Sequence, residues 1–484
     1  MNNAQAASRQ VPRELEIKLD LTPIDAAMLE ASLAGALSPD RIEQRAIYFD
    51  TPDGLLRRAG LTLRIRETEG CLVQTVKTWP DGAGLFDRAE WEKCVAALRP
   101  VIDPRVTGIT LDRRLLSALA PAFEIRVLRH RWAAVHHGGI ELAIDQATIV
   151  AADREARFAE LECELKHAGP DAAFALVRRL AEAVPLRLGV SSKAERGFRL
   201  LGAAQSAFKA EPLALGIDMT SRQAFVTIMI ACLRHYRLNE SILLERREPE
   251  AVHQARVALR RLRSALALFD VLLDDRARAF DAALQSLART LGDARDLDVV
   301  LGRDDCTEWE AALLRRRDAA YDAVEARLRT EETRALFVDI AGWLASDLPT
   351  SRAGAEPIVA FAGRALAQEF RKLARRSKGF VGLSPARRHR VRKAAKRLHY
   401  ANDFFAATFA PFGHHRRIDQ FGNAVDSLQD KLGALNDRAV HRTIVADLAG
   451  GASRDARTGT NDTRLLKSTK RALDRVLDAR RYWH

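Results

Sequence analysis

Charged residues take alternate positions in a stretch that otherwise reads as a buried strand: Glu14, Glu16 and Lys18 in RELEIKLDL, with Leu15, Ile17 and Leu19 between them. Alternate side chains of a strand share a face, so the charges point one way and the apolar residues the other. The same period recurs in LTLRIRE (Arg64, Arg66), RAEWEKCV (Glu90, Glu92) and AELECELK (Glu160, Glu162, Glu164). One charged strand marks an exposed edge; four predict a charged interior.

Further alternating segments (IYFD, LVQTVKT, FEIRVLRHRWAAVHH, IELAIDQATIV) fill the chain up to about Leu201, separated by turn signals such as Thr51-Pro52-Asp53-Gly54. Helices are predicted at about Ile24 to Leu37, led by Thr22-Pro23, and at about Asp171 to Glu182. Strands in this number, with charges on one face, favour a closed antiparallel barrel. Residues 205–218 read as a linker after a domain at 13–204, and 1–12 as a disordered N-terminus.

From residue 219 to 484 the texture changes to long amphipathic helices. Here VHQARVALRRLRSALALFD, from Val252, matches RHRVRKAAKRLHYANDFF, from Arg388. His253, Arg256, Arg260, Arg261 and Arg263 align with His389, Arg392, Lys396, Arg397 and His399. A glycine turn is predicted after each copy, in LGDARDLD from Leu291 and LGALNDRA from Leu432. Two helical repeats are implied, at about 219–348 and 357–484, with 449–463 as a flexible loop. In the first copy His253, Arg256, Arg260 and Arg263 form one stripe opposite Leu259, Leu262 and Leu266. Two such basic ridges would form a positive groove suited to a linear anion.

A sheet that gathers carboxylates and guanidinium groups on its inner face needs a water-filled lumen holding something charged. Clustered Glu side chains repel unless a hard divalent cation, Mg²⁺ or Mn²⁺, sits between them. Clustered Arg and Lys need an anion, and the Arg fork suits phosphate oxygens. A metal-bound polyphosphate meets both demands.

Composition adds limits. The 484 residues suffice for two or three domains, and a formal charge of +13 favours a polyanionic partner. The five cysteines lie far apart with no CxxC pair, which argues for reduced thiols and against a zinc site. His130, His136 and His137 lack helical ligand spacing and read as exposed imidazoles at a turn. The N-terminus lacks an apolar signal region and no apolar run spans a bilayer, so a cytoplasmic protein without a membrane partner is expected. Few aromatics interleave with the basic stripe, which disfavours nucleic acid.

The first ~200 residues resemble the CYTH domain of the triphosphate tunnel metalloenzymes. The resemblance rests on Glu14-x-Glu16-x-Lys18, on YFDTPDGLLRRAGLTLRIRE, on ELAIDQATI, on ELECELK and on SKAERGF, in that order. The remainder is similar to a CHAD domain, on the two His/Arg helices. The resemblance implies an α+β chain: an eight-stranded antiparallel β-barrel tunnel with flanking helices, then an all-α bundle. It implies metal ligation by Glu14, Glu16, Glu160, Glu162 and Glu164, a middle carboxylate pair in Glu90 and Glu92 that would hold a second ion or orient water, and an acidic position near the metal in Asp145, with Glu14, Glu16, Lys18, Glu90 and Glu92 as the catalytic set. Lys18, Arg64, Arg66, Lys77 and Lys193, with Arg126 and Arg129, would grip phosphates.

The leading expectation is Mg²⁺- or Mn²⁺-dependent hydrolysis of inorganic triphosphate, with the helical half holding long-chain polyphosphate through His253, Arg256, Arg260, Arg261, Arg263, His389, Arg392, Lys396 and Arg397. The alternatives are hydrolase or cyclase chemistry on a nucleoside or thiamine triphosphate, and a non-enzymatic polyphosphate-binding or granule-associated protein.

Overall fold

The computed structural model describes residues 13–34, 38–78, 87–101, 117–135, 139–213, 215–303, 308–345, 348, 352–448 and 458–483. The segment 1–12, expected to be disordered, lies outside them, as do His136, His137, the side chain of Glu14 and most of the predicted loop at 449–463.

The N-terminal half runs β1 (Arg13–Leu21), α1 (Pro23–Ala34), β2 (Asp40–Asp50), α2 (Leu55–Arg58), β3 (Leu61–Thr68), β4 (Cys71–Thr78), β5 (Asp87–Cys94), β6 (Ala120–Val135), β7 (Ile140–Ala151), β8 (Arg154–Leu165), α3 (Pro170–Ala181), β9 (Arg187–Leu188) and α4 (Lys193–Leu201). The Asp25 amide donates to Thr22 Oγ1 at 3.1 Å, which starts α1 one residue before the predicted Ile24.

All strand pairings are antiparallel, in the order β5-β4-β3-β2-β6-β7-β8-β1-β9. An eight-stranded closed barrel was expected, and the sheet differs from it. Among the described residues nine strands are present, and the sheet is open along most of the seam between β1 and β5. Of the described residues only Arg13, Glu14 and Leu15 pair across it, with Ala89, Arg88 and Asp87. Beyond Leu15 that edge of β1 is taken by the two residues of β9, opposite Leu19 and Asp20.

The outer face carries the apolar partners of the charged positions. Phe49, Leu63, Ile65 and Val76 form a core cluster under Leu56 of α2. Ile17, Leu161 and Cys163 are buried on the other side of the sheet, as the alternation predicts for Cys163. The inner face is divided. One end is charged; the other is apolar, built from Ala46, Phe123, Ile125, Val127, Ala147 and Ile149, and filled by Ala194 and Phe198 of α4. Phe123 stacks on Tyr48 at 4.7 Å and meets Phe198 edge-on at 5.0 Å. A Cβ at Gly197 would lie 2.1 Å from the Phe123 ring, so only glycine lets α4 seat against this wall.

The helical half comprises α5 (Ser221–Glu245), α6 (Pro249–Leu268), α7 (Arg276–Leu301), α8 (Glu310–Arg329), α9 (Glu331–Ala345), α10 (Ile358–Arg376), α11 (Pro385–Phe405), α12 (His415–Leu448) and α13 (Thr458–Asp478). The repeat is visible in the packing. Helix α6 lies against α5 and α7, α11 lies against α10 and α12, and α6 touches α11. Phe269, closing α6, stacks on Phe361 at 4.5 Å and packs against Phe405 at 5.8 Å.

The predicted glycine turns are absent: Gly292 and Gly433 lie inside α7 and α12. At Gly292 the missing side chain leaves room for the Arg256 guanidinium, which donates to the Gly292 carbonyl at 3.0 Å.

By contacts the chain forms two compact units, Met1–Gln205 with Arg334–Ser346, and Ser206–Thr333 with Asp347–His484. Most of α9, which the sequence reading placed in the helical half, thus groups with the sheet. Arg178 Nε of α3 lies 2.7 Å from Asp339 Oδ1, and Gly342 leaves space for the Phe174 ring. The stretch read as a linker is pinned to α5: Asn239 Oδ1 accepts from the Phe208 amide at 2.9 Å, and Arg234 forks onto Glu211.

Candidate functional site

Strand register assembles the charged end of the inner face. Lys18 sits opposite Glu162, and Asp20 opposite Glu160, across β1 and β8. Asp145 of β7 sits opposite Glu160 on one side and Arg129 of β6 on the other. Lys193 arrives from α4, whose first turn is fixed by a capping box: the Glu195 amide donates to Ser192 Oγ at 3.2 Å, and the Ser192 amide to Glu195 Oε2 at 2.7 Å.

Three cations and four carboxylates interlock here. Arg129 makes a fork on Asp145, both bonds 2.7 Å, and reaches Glu162 at 2.5 Å. Lys193 Nζ lies 2.7 Å from Asp145 and 3.0 Å from Glu162, and contacts Glu160. Lys18 Nζ contacts Glu162, with Glu16 at 3.2 Å and Glu160 at 3.8 Å. Asp145 and Glu160 are fully buried.

Their titration follows. Burial would raise the Asp145 and Glu162 carboxyls, but Lys193 and Arg129 hold Asp145 below the usual range, and Lys18, Lys193 and Arg129 hold Glu162 well below it. At Glu160 burial outweighs Lys193 and Lys18, and the carboxyl is pushed up. The Lys193 and Lys18 ammonium groups, which burial alone would lower, are held above their ordinary values by the surrounding carboxylates.

The carboxylate oxygens of Asp145, Glu160 and Glu162 lie within 4.8 Å of one another. Hard oxygen donors converging in this number fit a hard divalent cation. The Lys193 ammonium at their focus marks the cradle as one built for positive charge.

The facing wall is basic. Arg64 and Arg66 of β3, with Lys77 of β4, line a cavity of about 250 Å³ together with Glu16, Lys18, Arg129, Glu162 and Lys193. Lys77 Nζ pairs with Glu90 at 2.8 Å; Thr75 Oγ1 donates to Glu92 at 3.1 Å, and Arg66 reaches Glu92 at 3.5 Å. Arg64 Nε is buried without a hydrogen-bond partner. Burial first, then the neighbouring Arg64 charge, lowers Arg66, with Glu92 opposing.

Of the expected residues, the structure brings Glu16, Lys18, Arg64, Arg66, Lys77, Glu90, Glu92, Arg129, Asp145, Glu160, Glu162 and Lys193 to this end. Arg126 is not among them. Three positions from Arg129, it projects from the opposite face, largely exposed and paired with Glu124 at 2.7 Å. Glu164 shares the inner register but pairs with Lys166 at the strand end. His130 is half-buried against Glu30 at 2.9 Å rather than exposed at a turn. Sequence reasoning missed Tyr48 and Thr75, which line the cavity. Their period-two spacing with Ala46 and Lys77 carried the signal.

In the helical half, Arg256, Arg260, Arg392 and Lys396 come together where α6 meets α11, lining cavities of about 590 and 500 Å³. His253 borders one cavity; His389, Arg263 and Arg397 border the other. Arg261 departs from the expected ridge: it is buried, contacts Asp403 and lies 5.1 Å over the Phe404 ring, a packing role. Arg263 is neutralised by Asp281 at 2.8 Å.

No described helix is long and apolar enough to cross a membrane.

The CYTH domain pattern matches residues 12–198 and the CHAD domain pattern residues 227–446. An inorganic triphosphatase from Haemophilus influenzae is 30% identical over 200 residues, 40% of this chain and 56% of that protein, so the chain spans little more than half of that relative. The CHAD domain from the plant Ricinus communis is 28% identical, with a TM-score of 0.47 over 58% of this chain and 98% of that one. A candidate adenylyl cyclase from Hippeastrum, described as revealing a dominant triphosphatase activity, is 19% identical, with a TM-score of 0.31 over 38% of this chain and 95% of that one. The chain therefore carries a CYTH domain followed by a CHAD domain.

Proposed function

We propose that the sheet domain hydrolyses inorganic triphosphate to pyrophosphate and phosphate, and that the helical half holds long-chain polyphosphate. The observation that carries this reading is the two-signed lining of one cavity, with Arg64, Arg66 and Lys77 facing the carboxylates of Glu16 and Glu162.

Phosphoryl transfer asks little covalent help of a protein; it needs phosphate oxygens neutralised and water held in line. Arg64 offers a buried, unpartnered N–H, and Arg66 adds charge beside it. Together with Lys77 these groups grip the phosphates. Glu90 and Glu92, fixed by Lys77, Thr75 and Arg66, orient the basic wall. Asp145, Glu160 and Glu162, with Glu16, are the residues that would hold Mg²⁺ or Mn²⁺. Such an ion supplies neutralisation of phosphate charge and a lowered water pKa. Glu14 belongs to the same proposed ligand set by its place in the strand.

A volume of about 250 Å³ lies below the roughly 300–1,000 Å³ of drug-sized ligand sites. It favours a compact inorganic anion over a nucleotide or thiamine triphosphate. The relative named an inorganic triphosphatase supports the same substrate. In the helical half, four basic side chains from two repeats support a linear polyanion. We place this chemistry in the cytoplasm.

The test is phosphate release from tripolyphosphate, ATP and pyrophosphate, with Mg²⁺ and with EDTA. Tripolyphosphate should be cleaved fastest, and only with metal. Equal rates on ATP would overturn the substrate.

A further inference from the structure

We infer that the helical groove takes up a proton along with its polyphosphate, and that the Lys396 amine receives it. This rests on the reading of the groove as a polyphosphate site.

Lys396 occupies the centre of the cationic cluster. Arg392 lies one turn earlier on its own helix, and Arg256 and Arg260 approach from α6. Nothing among the described residues hydrogen-bonds or ion-pairs with the Lys396 amine. Arg260 Nε and Arg392 Nε are likewise buried without partners. Both cavities have Arg260, Arg392 and Lys396 in their walls, so an anion in either one meets these groups.

Two of the surrounding acids are engaged. Asp296 of α7 lies 3.3 Å from Arg256, and Asp281 neutralises Arg263. On one side remain Asp430 and Asp437 of α12, faced by Arg295 of α7, by His253, and by His399, which pairs with Asp426. On the other side Asp270, His389 and the cations Arg278, Lys393 and Arg397 line the wall, and burial with the neighbouring Lys393 and Arg392 charges lowers the His389 pKa. Positive charge dominates on both.

Burial first, then Arg260, Arg392 and Arg256, push the Lys396 pKa down to about 6, with Asp437 opposing. Near neutral pH the group is therefore mainly a neutral amine. The internal repeat places Arg260 at the equivalent position, and a guanidinium cannot give up its proton. One of the two symmetric positions titrates and the other does not.

A phosphate chain in the groove brings negative oxygens to this amine. The lone pair on Nζ then binds a solvent proton, –NH₂ becomes –NH₃⁺, and the ammonium donates to phosphate. Linkage makes affinity rise by up to about tenfold per pH unit as pH falls toward 6, and flatten below it.

The experiment is calorimetric titration of the full chain with long-chain sodium polyphosphate in EDTA, near neutral pH, in two buffers of different ionisation enthalpy. Wild type is compared with Lys396→Arg, which keeps charge without titrating, and with Lys396→Met. The comparison cancels protons exchanged by the polymer ends and any binding in the tunnel. Wild type should take up about one proton more per bound site than either variant, and its affinity should fall more steeply with rising pH than theirs. Equal uptake in all three proteins would overturn the inference while leaving the groove as the polyphosphate site. Failure of wild type to bind the polymer at all would overturn the groove reading itself.

Discussion

Lys193 Nζ lies 2.7 Å from Asp145 Oδ2, which ties the first turn of α4 to the charged end of the sheet. The same ammonium serves Glu160 and Glu162. Lys193→Ala leaves three buried carboxylates one cation short, and breaking such a buried pair costs about 3–5 kcal/mol. Urea denaturation should show that loss, and Mg²⁺ should restore part of it, because a divalent cation suits the same oxygens. A variant as stable as wild type in EDTA would mean that Arg129 and Lys18 suffice.

At Gly197 the Phe123 ring sits where a side chain would go. Gly197→Ala should cost about 1–3 kcal/mol from overpacking and should also lower triphosphate turnover, since Lys193 rides on the same helix. Adding Phe123→Leu should recover both. Unchanged denaturation midpoints in the single variant would show that α4 shifts freely.

Arg126 and Arg129 separate binding from mere proximity in sequence. Arg129→Ala removes the fork on Asp145 and should reduce kcat/KM for tripolyphosphate by about a hundredfold or more, some 2.7 kcal/mol. Arg126→Ala, on the outer face, should leave it within about twofold. Equal losses in steady-state assays would contradict the register.

Much of this site was legible before any fold, and for one reason. A period of two exposes which residues share a face, so Glu16, Lys18, Arg64, Arg66, Glu160 and Glu162 declared themselves together. Arg126 misled because β6 carries arginines at odd spacing, and spacing alone does not say which one faces inward. The apolar half of the inner face was hidden because Phe123, Ile125 and Val127 look like any core strand, and nothing local says that a helix 70 residues later will fill it. The open seam was hidden as well, since closure depends on how far β1 and β5 run together. In the helical half the repeat was plain. The helical Gly292, read as a turn, is explained only by the arginine lying against it.

Lys396 gives the helical half a pH signature of its own. In the unfolded chain its pKa is the ordinary lysine value of about 10.4, and in the fold it is about 6. Between these values the unfolded state binds more protons, so stability contributed by this residue rises with pH and is lowest below about 6. Lys396→Met should remove that slope and stabilise the protein near neutral pH by at least about 1 kcal/mol. Thermal melts across pH, wild type against variant, measure it; parallel profiles would show that Lys396 stays charged in the fold.

Crystals grown with Mn²⁺ and tripolyphosphate, read by manganese anomalous scattering, address the meeting of cation and oligophosphate inside the sheet. The anomalous peak should lie among Asp145, Glu160 and Glu162, with phosphate density against Arg64, Arg66 and Lys77. Manganese and phosphate bound only outside this cavity, with the inner carboxylates still held by Lys18, Lys193 and Arg129, would contradict the account.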